Sequence, residues 1–320
     1  MANHAQAGRG RDAQRPSDVP AKGWKDVLLR VKDEFTKDNI SIVAGGVAFF
    51  SLLALFPAIA ALVGIYGMVA SPQDVQTQIQ SMSDMMPPEA QEVLVMQMSS
   101  VAESSSGAMG FGAALALVFA LWSASRGVST IITALNIAYN ETEERGFFKL
   151  ALLNLALTIG GIIMVIVALF LVAAVPAILG VLDLGGVWQW AISLSRWPIL
   201  FLFMLGVLAV LYRVGPDRRA PQWRWASPGA VIGTLLWILG SIAFSFYVSR
   251  FGSYNETYGT IAGVVILMMW LYLSAVIVLL GAEINSELER QTRQDTTEAD
   301  RPMGQRGAYS ADTLGRQSGK

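Results

Sequence analysis

The chain has no cysteine and one histidine, His4, among its 320 residues. Without thiols there are no disulfides and no thiolate metal sites, and a lone histidine in a polar leader excludes His-based metal clusters and Ser-His-Asp triads. No G-x-x-x-x-G-K-S/T phosphate loop occurs, which argues against an intrinsic ATP-driven pump. Lysine and arginine are missing between Lys37 and Arg126, and within that gap the polar segment from Ser71 to Gly107 carries only acids. Charge as a whole is scarce. Charged residues are 15% of the chain and hydrophobic ones 53%, against roughly 25% and 45–50% in an average soluble domain. The formal net charge of -1 conceals how unevenly the charges are sorted.

What is present in excess is long apolar runs. A helix needs about 20 mostly apolar residues to cross the hydrocarbon layer. Six stretches qualify, approximately Ile42 to Val69, Ala108 to Leu135, Leu150 to Leu182, Ala191 to Tyr212, Trp225 to Ser249 and Thr260 to Ser286. The first is too long for the apolar region of a cleavable signal peptide. Basic residues crowd alternate connections. The leader holds eight from Arg9 to Lys37, the second loop has Arg145 and Lys149, the fourth has Arg213, Arg218, Arg219 and Arg224, and the tail has six from Arg290 to Lys320. The first loop has none, while only Arg196 and Arg250 lie near the third and fifth. By the positive-inside rule this predicts six crossings with both termini in the cytoplasm.

The expected organisation is a disordered leader over residues 1–21, a six-helix membrane domain over residues 22–290 and a disordered cytoplasmic tail over residues 291–320. Trp24, Val27, Leu28, Val31 and Phe35 recur at helical spacing between charged residues. They predict an amphipathic helix, lying on the inner membrane surface or docked on the protein's own cytoplasmic loops. Pro57 predicts a kink or tilt in the first span. Pro72 and Pro87-Pro88 bracket segments 73–86 and 89–102, which read as an external helical hairpin whose Met stripe serves packing. Trp188, Trp190 and Trp197 suit an outer interface. Gly229 with Gly233, and Gly259 with Gly263, form small-xxx-small pairs that permit close helix approach.

Polar groups inside hydrocarbon are costly and are the default site candidates. Arg126 lies in the inner half of the second span, followed by Ser129, Thr130, Thr133 and Asn136; Glu283 lies in the inner part of the last, with Asn285 and Glu287 nearer water. Arg126 reaching Glu283 admits a salt bridge that fixes helix register, a lining of a polar cavity, or, for Arg126 alone, snorkelling to the interface. A second constellation is the outer loop Phe251 to Gly259. There Gly252 and Gly259 free the backbone, and Tyr254, Asn255 and Tyr258 offer polar groups at the interface; a packed turn with aromatic anchors explains the same residues. Glu141, Glu143 and Glu144 read as solvated surface, not as a metal site. The basic loops are explained by topology, and no aromatic-basic interleaving suggests nucleic-acid binding.

Several ordered motifs carry a resemblance. The stretch from Ala44 to Pro57, Leu121 to Arg126, Leu135 to Tyr139, Leu211 to Arg213 with Pro216, the loop Phe251 to Gly259, and Gly281 to Asn285 together resemble the YihY/BrkB family of bacterial inner-membrane proteins. The resemblance covers about Trp24 to Arg290. It implies an all-α, six-span protein of the cytoplasmic membrane without a settled activity; a ribonuclease label attached to some relatives is not supported by these residues. Two functions stay open: transport or flipping of a lipid or amphipathic envelope compound, and a non-transporting envelope scaffold. An enzyme is the third reading and the least favoured. Membrane lipids are the expected partners, with a second copy or other envelope proteins also possible; no cofactor is expected.

Overall fold

The computed structural model describes residues 10, 13, 15–67, 110–169, 186–218, 223–250 and 260–291. The expected external hairpin, Pro176, the loop Phe251 to Gly259 and the tail beyond residue 291 lie outside them. Among the described residues every regular element is helical. A 3-10 turn, Pro16–Asp18, leads into α1 (Ala21–Lys37), followed by α2 (Ile40–Gly67), α3 (Gly110–Ala138), α4 (Phe147–Leu169), α5 (Gly186–Val214), α6 (Trp223–Arg250) and α7 (Thr260–Arg290). Helices α2 to α7 coincide with the six apolar stretches. Lipid offers no hydrogen bonds, so an apolar run must satisfy its backbone within itself, and a helix does so.

Among the described residues four helical segments are long and apolar enough to cross a membrane: Leu117–Ala138, Phe147–Met164, Pro228–Ser249 and Gly263–Arg290. In α5 the apolar helix Pro198–Val214 is shorter, and α1 with Ile40–Leu55 passes only as a pair bent by 64°, which would make a fifth. The chain is therefore a multi-pass membrane protein, all-α among the described residues. The bend falls at Asp38–Asn39, where Asn39 adopts a left-handed φ of 50°, a conformation that asparagine tolerates better than most residues. Pro57 stands inside α2 without ending it.

Helix α7 is the hub. It packs on α6, α2, α1 and α3, while α3 also packs on α2 and α4, and α5 packs on α6. The main core joins Ile40, Ala44 and Val47 of α2 to Leu135 and Ala138 of α3, Leu208 and Tyr212 of α5, Ala230 of α6, and Leu279 and Ala282 of α7. Large apolar side chains point outward on the opposite faces, among them Ile42, Phe119, Leu152, Leu202, Leu239 and Ile242. In water such a surface would aggregate; in lipid it is the required one.

Helix α1 buries Val27 and Val31 against Ile284 and Leu288 of α7, with Trp24 packed alongside, while Leu28 stays exposed. Its apolar stripe is thus divided between the chain and its surroundings. Two described residues of the leader are packed. Ala13 and Val19 join the same cluster, and Asp18 Oδ2 accepts from the Arg15 amide at 2.9 Å.

Glycine sets the closest approach. A Cβ on Gly229 would collide with the Gly281 carbonyl and with Asn285, and one on Gly281 with the Tyr212 hydroxyl. The expected partner of Gly229 within its own helix, Gly233, faces Tyr212 and Leu208, whereas Gly263 has open space beside it. The intimate contact is therefore α6 on α7 through Gly229 and Gly281, not through Gly263.

Candidate functional site

The ends of α3, α5 and α7, the starts of α4 and α6, and α1 meet at one end of the bundle and share its polar groups. Asn136, on the last turns of α3 and 5% exposed, accepts the Asp217 amide at 2.8 Å through Oδ1 and donates to Glu143 at 2.9 Å through Nδ2. Arg145 grips the Glu143 carboxylate with two bonds of 2.6 and 2.5 Å and donates to the carbonyls of Val214 and Gly215 at 3.2 and 2.8 Å. Asp217 returns a contact, accepting the Glu144 amide at 2.9 Å. The connection between α3 and α4 is thereby tied to that between α5 and α6. Burial pushes the Glu143 carboxyl up, but the hydrogen bonds from Arg145 and Asn136 outweigh it and hold the group below its ordinary value.

Beneath this lies a buried ion pair. Arg218 donates to Glu289 at 2.7 Å and to the Tyr212 carbonyl at 2.8 Å, and its guanidinium lies 4.3 Å over the Tyr139 ring. Burial would lower the Arg218 pKa, but Glu289 and Tyr139 raise it overall. Tyr212 is fully buried and donates to the Val278 carbonyl of α7 at 2.8 Å. Asn285 accepts the Gly229 amide at 2.7 Å, near the start of α6. The expectation that the three acids after Tyr139 are all solvated surface is corrected in part. Glu141 is buried at 8% exposure, because it closes onto the end of α3 with its amide on the Asn136 carbonyl at 2.8 Å.

A second polar group gathers between α1 and α7. Arg30 donates to the Glu287 carboxylate through Nε and to its backbone carbonyl at 3.0 Å, and Arg290 donates to the same carboxylate at 2.7 Å. Lys37 donates to Glu34 at 2.6 Å. Each of these cations has an acid. Glu283, with no exposed surface, has charged neighbours in Asp38, Glu287, Glu34 and Arg290. Among the described residues neither of its carboxyl oxygens has a hydrogen-bond partner, and neither does the buried Oδ2 of Asp38 beside it. A fully buried carboxyl thus stands beside a half-buried one, close enough to share a hydrogen bond, an arrangement that calls for a positive charge or a proton.

The structure does not bring Arg126 and Glu283 together. Arg126 is exposed on the outer face of α3, its guanidinium 4.9 Å from the centre of the Trp122 ring, itself 54% exposed. The reason is helical: Arg126 sits on the face opposite Ala124 and Gly127, and Gly127 is pressed against Ala54 of α2. Asn136 and Asn285 are both buried, in the arrangements given above. Gly252, Tyr254, Asn255, Tyr258 and Gly259 lie outside the described residues. Sequence reading passed over Asp38, Arg145, Asp217 and Arg218 as site members. The acids Glu283, Glu287 and Glu289 on one apolar helix were the available signal, since that many carboxyls at a helix end imply cations folded over them.

These features define a class: a multi-pass helical membrane protein whose described residues gather buried polar groups at one end of the bundle. The family described as Virulence factor BrkB matches residues 31–306, and the chain belongs to it. The ribonuclease-like protein YfkH of Bacillus subtilis (strain 168) is 34% identical over 255 residues, covering 77% of this chain and 89% of that one. A UPF0761 membrane protein of Pseudoalteromonas atlantica is 28% identical over 276 residues, covering 82% and 87%. The UPF0761 membrane protein VV0203 of Vibrio vulnificus is 28% identical over 265 residues, covering 82% of each chain. No solved structure matches.

Proposed function

We propose that this chain moves a lipid or other amphipathic envelope compound across the bacterial cytoplasmic membrane, and that it is not an enzyme. In this reading α2 to α7 cross six times, with α1 as an amphipathic helix on the inner surface, residues 73–102 as an external helical hairpin and both termini in the cytoplasm. Membrane lipids surround it, and a second copy or another envelope protein is a further partner. The observation that carries the transport reading is the Glu283–Asp38 pair, a fully buried carboxyl that finds no donor among the described residues beside a half-buried one. A scaffold gains nothing from such a pair, whereas a carrier uses a site that is completed when a proton or a cationic group of its cargo arrives.

Lipid scrambling and solute flux in liposomes holding the purified protein test this. Transfer well above that of protein-free vesicles is expected, with a loss of about tenfold or more in Glu283→Gln, the effect of removing one charged interaction of ~1.4 kcal/mol or more. Absence of any flux would leave the scaffold reading in its place. Reporter fusions after Ser104 and after Asp217 test the topology separately, and both reporting the same side of the membrane would refute six crossings.

A further inference from the structure

Two adjoining hollows open on the outer face of the same end, between the start of α4 and the end of α5. The first, of ≈ 360 Å³, is lined by Arg145, Lys149, Leu152, Leu153, Ala156 and Val214. The second, of ≈ 340 Å³, shares Arg145, Lys149 and Val214 and adds Arg213, Pro216, Asp217 and Arg218. One end of the combined hollow is cationic and the other is an apolar wall running along α4.

The cations are not equivalent. Arg145 is committed to Glu143 and to two carbonyls, and Arg218 to Glu289 and the Tyr212 carbonyl. Asp217, the acid on the rim, is held by the Glu144 amide and lies 3.7 Å from Arg145. Lys149 is exposed and has no ion-pair partner among the described residues. It stands on the first turn of α4, whose aligned peptide dipoles add positive potential at the same level. Phe147 and Phe148 beside it are 79% and 86% exposed, as aromatic rings are at a headgroup boundary.

We propose that this hollow binds one anionic phospholipid, its phosphate on the Lys149 ammonium and one acyl chain along Leu152, Leu153 and Ala156. A soluble anion satisfies the ammonium but leaves the apolar wall without an occupant. A zwitterionic lipid covers the wall but brings its own cation to Lys149. Only an anionic amphiphile matches both ends. The inference does not depend on transport, because a carrier and a scaffold hold a resident lipid equally well.

The full chain in neutral detergent, titrated with phosphatidylglycerol or phosphatidylcholine and followed by native mass spectrometry, tests it. One phosphatidylglycerol is expected to bind about fivefold more tightly than phosphatidylcholine, the contribution of a single basic side chain near an anionic surface. Lys149→Gln should abolish that preference and Lys149→Arg keep it. Ala156→Trp, which fills the wall from an exposed position, should weaken both lipids. Equal binding of the two lipids by the wild-type chain would overturn the proposal, as would a preference that survives Lys149→Gln. Displacement of the lipid by millimolar inorganic phosphate would identify a free anion as the ligand and equally overturn it.

Discussion

Arg218 and Glu289 have side chains 1% and 4% exposed, and at that depth the pair behaves asymmetrically. Removing one partner strands the other charge, at a cost of about 3–5 kcal/mol, while replacing both with apolar residues of similar volume is near neutral. Arg218→Met and Glu289→Leu are therefore each expected to lower the unfolding midpoint in detergent sharply, and the double variant to recover most of the loss. Equal losses in single and double variants would show that the packing of Arg218 on Tyr139 matters more than its charge. Glu143 yields a pH prediction. Its folded carboxyl titrates below its unfolded value, so its stabilisation is complete above the unfolded pKa and disappears as pH falls through the lower, folded one. Glu143→Gln should cost about 1 kcal/mol near neutral pH, below the ~1.5–3 kcal/mol of bonds to charged groups because solvent screens the pair. The difference from wild type should close on acidification. None of these pairings was legible from the sequence, because Arg145 and Arg218 were accounted for as topological markers, and loop charge counts carry no information on which acid each cation meets.

At the scale of elements, apolar run length predicted where each helix lies, since backbone satisfaction in lipid leaves few alternatives. It did not predict which faces meet. Gly229 and Gly233 were recognised as a close-packing pair, but the facing residue is Gly281, which stands in an Ala-Glu-Ile-Asn context with no small-xxx-small signature of its own. Gly281→Ala is expected to destabilise by about 1–3 kcal/mol, as an added methyl in a filled contact does. Gly263→Ala, with open space beside it, should leave the unfolding midpoint within error. A midpoint unchanged in both would mean that α6 and α7 separate more easily than their packing implies. The bend of 64° between α1 and α2, at Asp38-Asn39, is separate from the kink or tilt expected at Pro57 and had no counterpart in the sequence reading; a left-handed asparagine leaves a weaker mark in sequence than a proline does.

For the whole molecule, the cationic connections, the buried acids of α7 and α1 collect at a single end, so stability and the proposed activity draw on the same few helix termini. They differ in sign at one place. Glu287 and Glu289 are matched by cations, and neutralising either should weaken the fold. Glu283 has no such partner among the described residues, so replacing it with an amide of the same shape removes an unmet charge and leaves every hydrogen bond described for the fold in place. Glu283→Gln is therefore expected to unfold at the same temperature as wild type or higher, while its flux in liposomes falls. Opposed effects on stability and function are what a site strained for its task produces. A loss of about 3 kcal/mol or more would instead reveal a hidden partner for the carboxylate, making Glu283 a structural anchor and removing the main support for transport. The sequence located Glu283 because a carboxyl in an apolar helix is conspicuous. It could not assign Asp38 as the neighbour, because 245 positions separate the two and the packing of α1 on α7 that brings them together leaves no mark in either segment.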